Sequence, residues 1–472
     1  MELASLVRRA GRLVYARTVP FPYRVAFRQA LFSRRAAAAY RSTTRLLATA
    51  TKWTPERWTE YQILELHSLM RWATETVPFW RRWRRTSGCA VEELRSLAEL
   101  RALPTMTKAD LQERLAEYTS DAVPPTRRAY ATTGGSTGTP VAFLEEVATM
   151  VAREHAYLDH VRSQFGCSER EPHVVLGGAF VGDPERARLW DSNPIWSELA
   201  VSSYHLHEPH VGAMWERMVQ FRPSYLEGYS SALTLLAQHA ATAGPRPSSL
   251  KMVFARSENL YGHQRRLITS AFGVPVANWY GHAEKAVFAA ECPAFAGYHV
   301  FPSYGIVELL RPDGSGVSQP GEVGEIVATG LNNRATVFIR YRTSDLASWA
   351  ESSPCPCGRS TPRLARIDGR LQELIMTATG RLISMAAINF HDEIFDNVRQ
   401  FQFYQDTPGA VILRLVAAPG FGPSNLDRIR RGVAGKVGND MRLEIQTVER
   451  IPPAPSGKHR FLDQRLTIAW SD

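Results

Sequence analysis

The chain has 472 residues, 44% of them hydrophobic and 22% charged, with a formal net charge of +10. That length carries two or three domains, and the balance of apolar and charged residues excludes a disordered chain. The five cysteines are unevenly spaced, which excludes a disulfide framework and suits a reducing cytoplasm.

No apolar run reaches about 18 residues, so no membrane-spanning helix is expected, and the opening residues lack the apolar core of a secretory signal. Ten arginines and one acid, Glu2, fall within residues 1–50, so nearly all the excess charge belongs there. Leu3, Leu6, Val7, Leu13, Val14 and Tyr15 interleave with those arginines. Two readings stay open: a basic amphipathic helix touching the inner, anionic face of a membrane, or a basic cap packed on the main body. No nucleic-acid partner is expected, because no recognised fold or aromatic-basic platform accompanies the charge.

In chain order, Thr54-Pro55-Glu56 reads as a helix start: an N-cap, a proline at the first position and an acid in the first turn. Trp58, Tyr61, Leu64, Leu69 and Trp72 then keep helical spacing, as a core-facing stripe does. Thr107 with Asp110 marks a second start. From 172 onward short apolar runs alternate with helical patterns: His173–Leu176, Ser224–Leu226, Lys251–Phe254 and Val274–Val276, each leading into a polar or glycine-bearing loop. This cadence predicts an α/β body whose strand-end loops gather around a ligand. From Tyr304 the texture turns to β, with candidate strands at 305–310, 324–329 and 336–340. After a break near Asp368-Gly369 the last hundred residues read as a small α+β unit. The organisation expected is a basic segment over 1–52, a large domain over 53–369 and a small domain over 370–472.

Five elements carry chemistry. The loop Ala131-Thr-Thr-Gly-Gly-Ser-Thr-Gly-Thr-Pro140 combines glycines, which let backbone approach a ligand, with hydroxyls that donate to phosphate oxygens. It lacks the terminal Gly-Lys-Ser/Thr of a Walker A motif, so it is a phosphate cradle of another kind. Tyr280-Gly281-His282-Ala283-Glu284, Ile339-Arg-Tyr-Arg-Thr-Ser-Asp345, Asp368-Gly369-Arg370 and Pro455-Ser-Gly-Lys458 follow in that order. Each alone is ordinary surface chemistry; the ordered set is hard to obtain by chance.

The series resembles the adenylate-forming (ANL) superfamily. More narrowly it resembles its phenylacetate–CoA ligase-like, CapK and coenzyme F390 synthetase-like branch, over roughly residues 55–465. Thr76-Val-Pro-Phe79, Leu103-Pro-Thr-Met-Thr-Lys108, Glu291-Cys292, His299–Glu308 and Cys355-Pro-Cys357-Gly-Arg359 support the narrower likeness. The resemblance implies a large α/β domain with a β-rich subdomain, followed by a small mobile α+β domain.

It also implies a reaction, in which a carboxylate and ATP with Mg²⁺ give an acyl-adenylate and pyrophosphate. A thiol such as coenzyme A, or an amine, then takes the acyl group. In those roles Thr133, Gly134, Gly135, Ser136, Thr137, Gly138 and Thr139 hold phosphates. Glu284 is the Mg²⁺ carboxylate. Tyr280, Gly281 and His282 lie along the nucleotide, Asp345 accepts from ribose hydroxyls, and Arg370 adds a ribose or phosphate contact. Lys458, delivered by the small domain turning about Gln372, bridges the substrate carboxylate and the α-phosphate. Thr137, Glu284 and Lys458 are the expected catalytic residues. Ser344 stands where the superfamily usually has glycine, a position serine fits with a negative φ.

Cys292, His299, Cys355 and Cys357 offer soft or borderline ligands for a structural Zn²⁺; the alternative is buried free cysteines with His299 a strand residue. The acyl pocket is the quietest part: Tyr229, Ser257, Glu258, Trp279 and His282 should border it. Cys89 and Cys167 read as packing residues. The acceptor stays open between a thiol and an amine; an amide- or ester-forming ligase in polysaccharide or natural-product assembly, and a degenerate nucleotide-binding scaffold, are the alternatives.

Overall fold

The computed structural model describes residues 34–87, 94–132, 141–177, 189–193, 197–206, 209–244, 246–370, 373–380, 382–384, 393–395, 397–437, 440–452, 454 and 459–468. Residues 133–139, Gln372 and Lys458 lie outside that set, as do Cys89 and the first 33 residues.

The first strands in chain order are β1 Ala129–Thr132, β2 Ala142–Glu145, β3 His173–Gly177, β4 Trp190–Asn193, β5 Glu198–Ser202, β6 Tyr225–Tyr229 and β7 Met252–Arg256. They continue with β8 Val276–Gly281, β9 Phe288–Glu291, β10 Tyr298–Val300, β11 Gly305–Leu310, β12 Val323–Gly330, β13 Tyr341–Trp349 and β14 Arg363–Arg370. The last are β15 Leu374–Met376, β16 Leu382–Ser384, β17 Val398–Thr407, β18 Ala410–Ala417, β19 Arg442–Thr447 and β20 Leu462–Gln464. Strands β3 to β14 build one twelve-stranded sheet in the order β11-β12-β13-β14-β10-β9-β8-β7-β6-β3-β5-β4. Its centre, β5-β3-β6-β7-β8, is parallel; the β11 to β14 flank is an antiparallel meander. Strands β17 to β20 form a separate four-stranded sheet with helix Pro423–Val437 beside it.

The parallel centre is covered on both faces, as parallel sheets require. Helices His210–Phe221, Ser230–Ala240 and Gly262–Phe272 cover one face, with Val174, Leu176, Leu226, Val253 and Ala255 in the shared core. Helix Val147–Gln164 covers the other, around Tyr157, Tyr225, Phe254 and Trp279. Of the basic segment, Arg34–Ala50 is a helix whose Ala36, Ala39 and Leu47 pack on the main body, against Ala152 and Tyr157. Its arginines, Arg34, Arg35, Arg41 and Arg45, are exposed.

Both helix starts read from the sequence are present. Thr54 accepts from the Arg57 N–H ahead of helix Pro55–Thr76, and Thr107 and Asp110 form a reciprocal capping box. The core stripe of that first helix is narrower than its apolar spacing suggests: Trp58 and Leu69 are buried, whereas Leu64 is 67% exposed. The expected strand at 336–340 is not one. Those residues are buried coil; Arg340 takes φ +49°, and its guanidinium turns back onto Glu308 and the Leu103 carbonyl, which breaks the pleat. The strand starts at Tyr341 instead.

Candidate active site

Strand β8 ends the parallel run, and its last residues are the Trp279-Tyr280-Gly281 that open the acidic motif. Ligands of open α/β sheets sit at such carboxyl ends. The Tyr280 hydroxyl donates to Asp345 Oδ2 over 2.7 Å, linking the second motif to the third. Asp345 on β13 is in turn the cross-strand partner of Arg370 on β14. Three motifs spread over ninety residues thus converge at one corner because β13 and β14 are neighbours; of the Arg370 side chain nothing is described.

The Asp345 turn departs from expectation. Ser344 adopts φ +64°, not a negative angle. Its N–H donates to Glu325 Oε1 at 3.0 Å, while the Thr343 hydroxyl accepts from Asp345 N at 3.0 Å and donates to the Ile326 carbonyl. A register shift between β12 and β13 at Glu325/Val327 accompanies this bend. The left-handed conformation is what a β-bulge needs to aim the Asp345 carboxylate off the sheet, and Glu325 holds it there. Gly369, opposite Leu346, has φ +100°, a conformation that calls for glycine.

Glu284 is buried. Its Oε1 accepts from the Tyr341 hydroxyl at 2.6 Å, and its Oε2 lies 2.9 Å from His282 Nδ1. Burial alone would raise its pKa; the His282 charge and the hydrogen bonds from His282 and Tyr341 outweigh that and bring it down to about 2. The group is therefore a fixed carboxylate, the form a hard divalent cation needs. His282 Nε2 is buried without a partner. Tyr341 was not singled out from sequence, although it lies inside a quoted motif. Lys285, at φ +53°, donates to Glu145 at the end of β2 over 2.7 Å, so the acidic loop is anchored to the hairpin that carries residues 133–139.

A cavity of about 650 Å³ lies against this corner. Trp279, Tyr280, Gly281, Asp345, Ser257 and Glu258 line it from the large sheet, and His459 to Ile468 line it from the small unit. Tyr229 and Trp279 flank Arg256 on neighbouring strands. Glu258 is less available for substrate than the sequence implied: it accepts from Ser231 N at 2.8 Å and Ser231 Oγ at 3.1 Å, at the start of helix Ser230–Ala240. It also accepts the His459 backbone N–H at 3.1 Å, one residue beyond Lys458.

Away from the cavity, Cys292, His299, Cys355 and Cys357 present ligand atoms within 4.8 Å of one another. Cys292 Sγ and Cys355 Sγ are 3.7 Å apart, and Cys357 Sγ is 3.3 Å from His299 Nε2. Tetrahedral zinc with Zn–S bonds of about 2.3 Å needs sulfur–sulfur spacings of about 3.8 Å, so the set fits. Thr361 Oγ1 lies 2.9 Å from His299 Nδ1, leaving the Nε2 side for metal. Burial, and then Arg359 and Arg363, push the His299 pKa down to about 4, toward the neutral ring a metal requires.

The family model for the CapK C-terminal domain matches residues 375–464. Protein CapK of Staphylococcus aureus is 23% identical over 371 residues, 78% of this chain and 80% of its own length. A phenylacetate-coenzyme A ligase of Aromatoleum evansii is 26% identical over 343 residues, 67% and 72% of the two chains. Among solved structures, a 2-hydroxyisobutyryl-CoA ligase in the postadenylation state aligns with TM-score 0.70 at 20% identity, covering 88% of this chain and 91% of that one. An open conformation of the same enzyme, covering the same 88% of this chain, gives 0.57. The chain thus shares the fold of the 2-hydroxyisobutyryl-CoA ligase. Its residues 375–464 match the CapK C-terminal domain, and it is similar to CapK and the phenylacetate–CoA ligases.

Proposed function

We propose that the chain activates a carboxylic acid with ATP, forming an acyl-adenylate and pyrophosphate, and passes the acyl group to a thiol such as coenzyme A or to an amine. The observation that carries this reading is the shared cavity. Tyr280 and Asp345 face it from one side, and the segment that directly follows Pro455–Lys458 faces it from the other.

In the first half-reaction a substrate carboxylate oxygen attacks the α-phosphorus, and the bond to the bridging oxygen breaks as pyrophosphate leaves. In the second, a sulfur or nitrogen nucleophile attacks the acyl carbon, AMP departs and the nucleophile gives up its proton. Neither step asks the protein for covalent chemistry; both ask for alignment and for positive charge where negative charge accumulates. Asp345, fixed by Tyr280 and the Ser344 bend, binds the ribose. The 133–139 loop holds phosphates and Lys458 supplies the cation between carboxylate and α-phosphate. Glu284, kept ionised by Tyr341 and His282, is the residue that would hold Mg²⁺, which neutralises phosphate charge when bound. The large and small domains meet at 369/370, and Gln372 is the pivot. Cytoplasmic location follows from the ATP requirement, with the exposed arginines of residues 34–50 available to an anionic surface.

Pyrophosphate release, screened over aryl, fatty and amino acids with and without coenzyme A, tests the reading. Carboxylate-dependent release that drops at least 100-fold in Lys458→Ala is the expected result. Release that persists unchanged in that variant removes the assigned role, and release without any carboxylate removes the activity.

A further inference from the structure

The ligase reading leaves the acid unnamed, and the inference here rests on that reading. In the parallel sheet, Arg256 ends β7 and is in register with Tyr229 on β6 and Trp279 on β8. These are the carboxyl ends of the central strands, where a ligand of such a sheet sits. Trp279 and Ser257, which follows Arg256, both line the 650 Å³ cavity. Alternation puts Arg256 on the same face as Phe254, Tyr225 and Trp279, so it stands at the end of the face covered by helix Val147–Gln164.

A lone arginine on this face would be costly, and it is not alone. Glu227, two residues before Tyr229 and 5% exposed, places Oε1 at 2.8 Å from Arg256 Nε. Its Oε2 accepts from Arg162 Nη2 at 2.7 Å and Nε at 3.2 Å. Glu227 stays ionised despite burial because the two guanidinium groups lower its pKa. Each Glu227 oxygen therefore faces one arginine, and Arg256 is held from below by the Glu227 charge, its buried Nε making no hydrogen bond. The terminal fork extends across β6 toward the end of β3: its Nη2 is 3.8 Å from where a Cβ on Gly177 would stand. The side chain keeps 29% of its surface exposed. A guanidinium with an ion-pair partner at its Nε edge and a part-exposed fork can still form two parallel bonds to a carboxylate, and the glycine leaves room for one.

We infer that Arg256 selects acids whose far end bears a second carboxylate: one carboxylate is activated, and the other is bound by the Arg256 fork above Gly177. A bare alkyl or aryl tail would cover the fork without offering its Nη groups an acceptor, which disfavours such acids. The substrate class is thus a dicarboxylic acid, linear or aromatic. Arg256 acts on specificity, while adenylation itself belongs to the residues facing Asp345.

The test pairs acids of matched length: succinate, glutarate, adipate and 4-carboxyphenylacetate against butyrate, valerate, hexanoate and phenylacetate. Each is assayed by pyrophosphate release and by thermal shift of the full chain with ATP. For the wild type, the best dicarboxylate should exceed its matched monoacid in kcat/KM on the order of 100-fold or more. Arg256→Met should bring that ratio below about tenfold through the acid's KM, leaving the ATP KM within about twofold. Arg256→Lys, which keeps the charge and loses the fork, should fall between. Gly177→Ala, whose Cβ meets nothing closer than 3.8 Å, should fold normally and weaken the dicarboxylate selectively. A wild-type preference for monoacids, or a ratio unmoved in Arg256→Met and Gly177→Ala, overturns the inference while leaving the ligase reading standing. Absence of release and of thermal shift with every acid in both series overturns the ligase reading and this one with it.

Discussion

Ser344 is a residue held in a backbone conformation that costs about 1 kcal/mol for a side chain with a Cβ. Its φ of +64° is enforced by Glu325 and by the bend that turns Asp345 toward Tyr280. Glycine adopts that angle freely, so Ser344→Gly should raise stability by up to about 1 kcal/mol in chemical denaturation. It should leave the ATP KM unchanged, because the Asp345 carboxylate keeps both its turn and its tyrosine. A destabilised variant would mean that the serine hydroxyl, rather than the bend, holds the turn. Asp345→Asn makes the complementary point: losing charge-assisted acceptance from ribose should raise the ATP KM about tenfold or more, read in steady-state kinetics.

Between residue and domain, the Cys-His cluster would act as a clamp if it held a metal ion. Cys292 follows β9, His299 is on β10, and Cys355 and Cys357 sit in the loop between β13 and β14. One ion would tie β9 and β10, the antiparallel strands between the parallel centre and the meander, to the loop that leads into β14, which ends at Arg370. The purified chain should carry about one zinc per molecule in elemental analysis. Cys357→Ser should lose it and lower Tm by several degrees, since a structural zinc contributes folding energy directly; a metal-free wild type with the same Tm would remove the clamp.

The grouping of Cys292, His299, Cys355 and Cys357 was visible in the sequence because thiols and imidazoles are rare and their chemistry is distinctive. The alternating strands and helices from His173 to Tyr280 were equally visible, since periodicity reports burial. Thr336–Arg340 misled because a short apolar run reads alike as strand or as buried coil. What joined Glu284 to Tyr341, or set Arg256 between Tyr229 and Trp279, is strand register, and no local pattern in one chain encodes it.

The small unit is seated on the large one through a buried cluster of Leu346, Leu374 and Ile468 and through several single contacts. Tyr261 enters the small sheet's core and meets Phe461 at 5.0 Å, Gln238 donates to the Arg399 carbonyl, and His459 N donates to Glu258. Burial pushes the His459 pKa down to about 4, against the hydrogen bond of its Nε2 to the Phe401 carbonyl. Between pH 6.5 and 4 the unfolded state then binds more protons than the folded one, so stability is full above about 6.5 and falls as pH drops. Because His459 keeps part of its surface open to the cavity, the loss at pH 5 should be tempered to about 1 kcal/mol. His459→Gln should flatten it, as unfolding at pH 7.5 and 5.0 will report; equal pH dependence in both proteins would place the titration elsewhere.

Glu258 gives the sharper test of motion, because it accepts the backbone N–H of His459, the residue that follows Lys458. If this contact seats the lysine for adenylation, Glu258→Ala should slow carboxylate-dependent pyrophosphate–ATP exchange about 10- to 100-fold, the range of one lost hydrogen bond to a charged group. The same variant should transfer acyl groups from preformed acyl-adenylate at a rate near that of the wild type, since that half-reaction requires the small unit to have moved. Ser231→Ala controls for the helix cap, since it removes one hydroxyl bond to Glu258 and leaves His459 seated. Glu258→Gln keeps an acceptor and should recover most of the exchange. Parallel loss of both half-reactions in Glu258→Ala would show that the carboxylate supports the fold rather than a pose, because a structural defect does not distinguish adenylation from transfer.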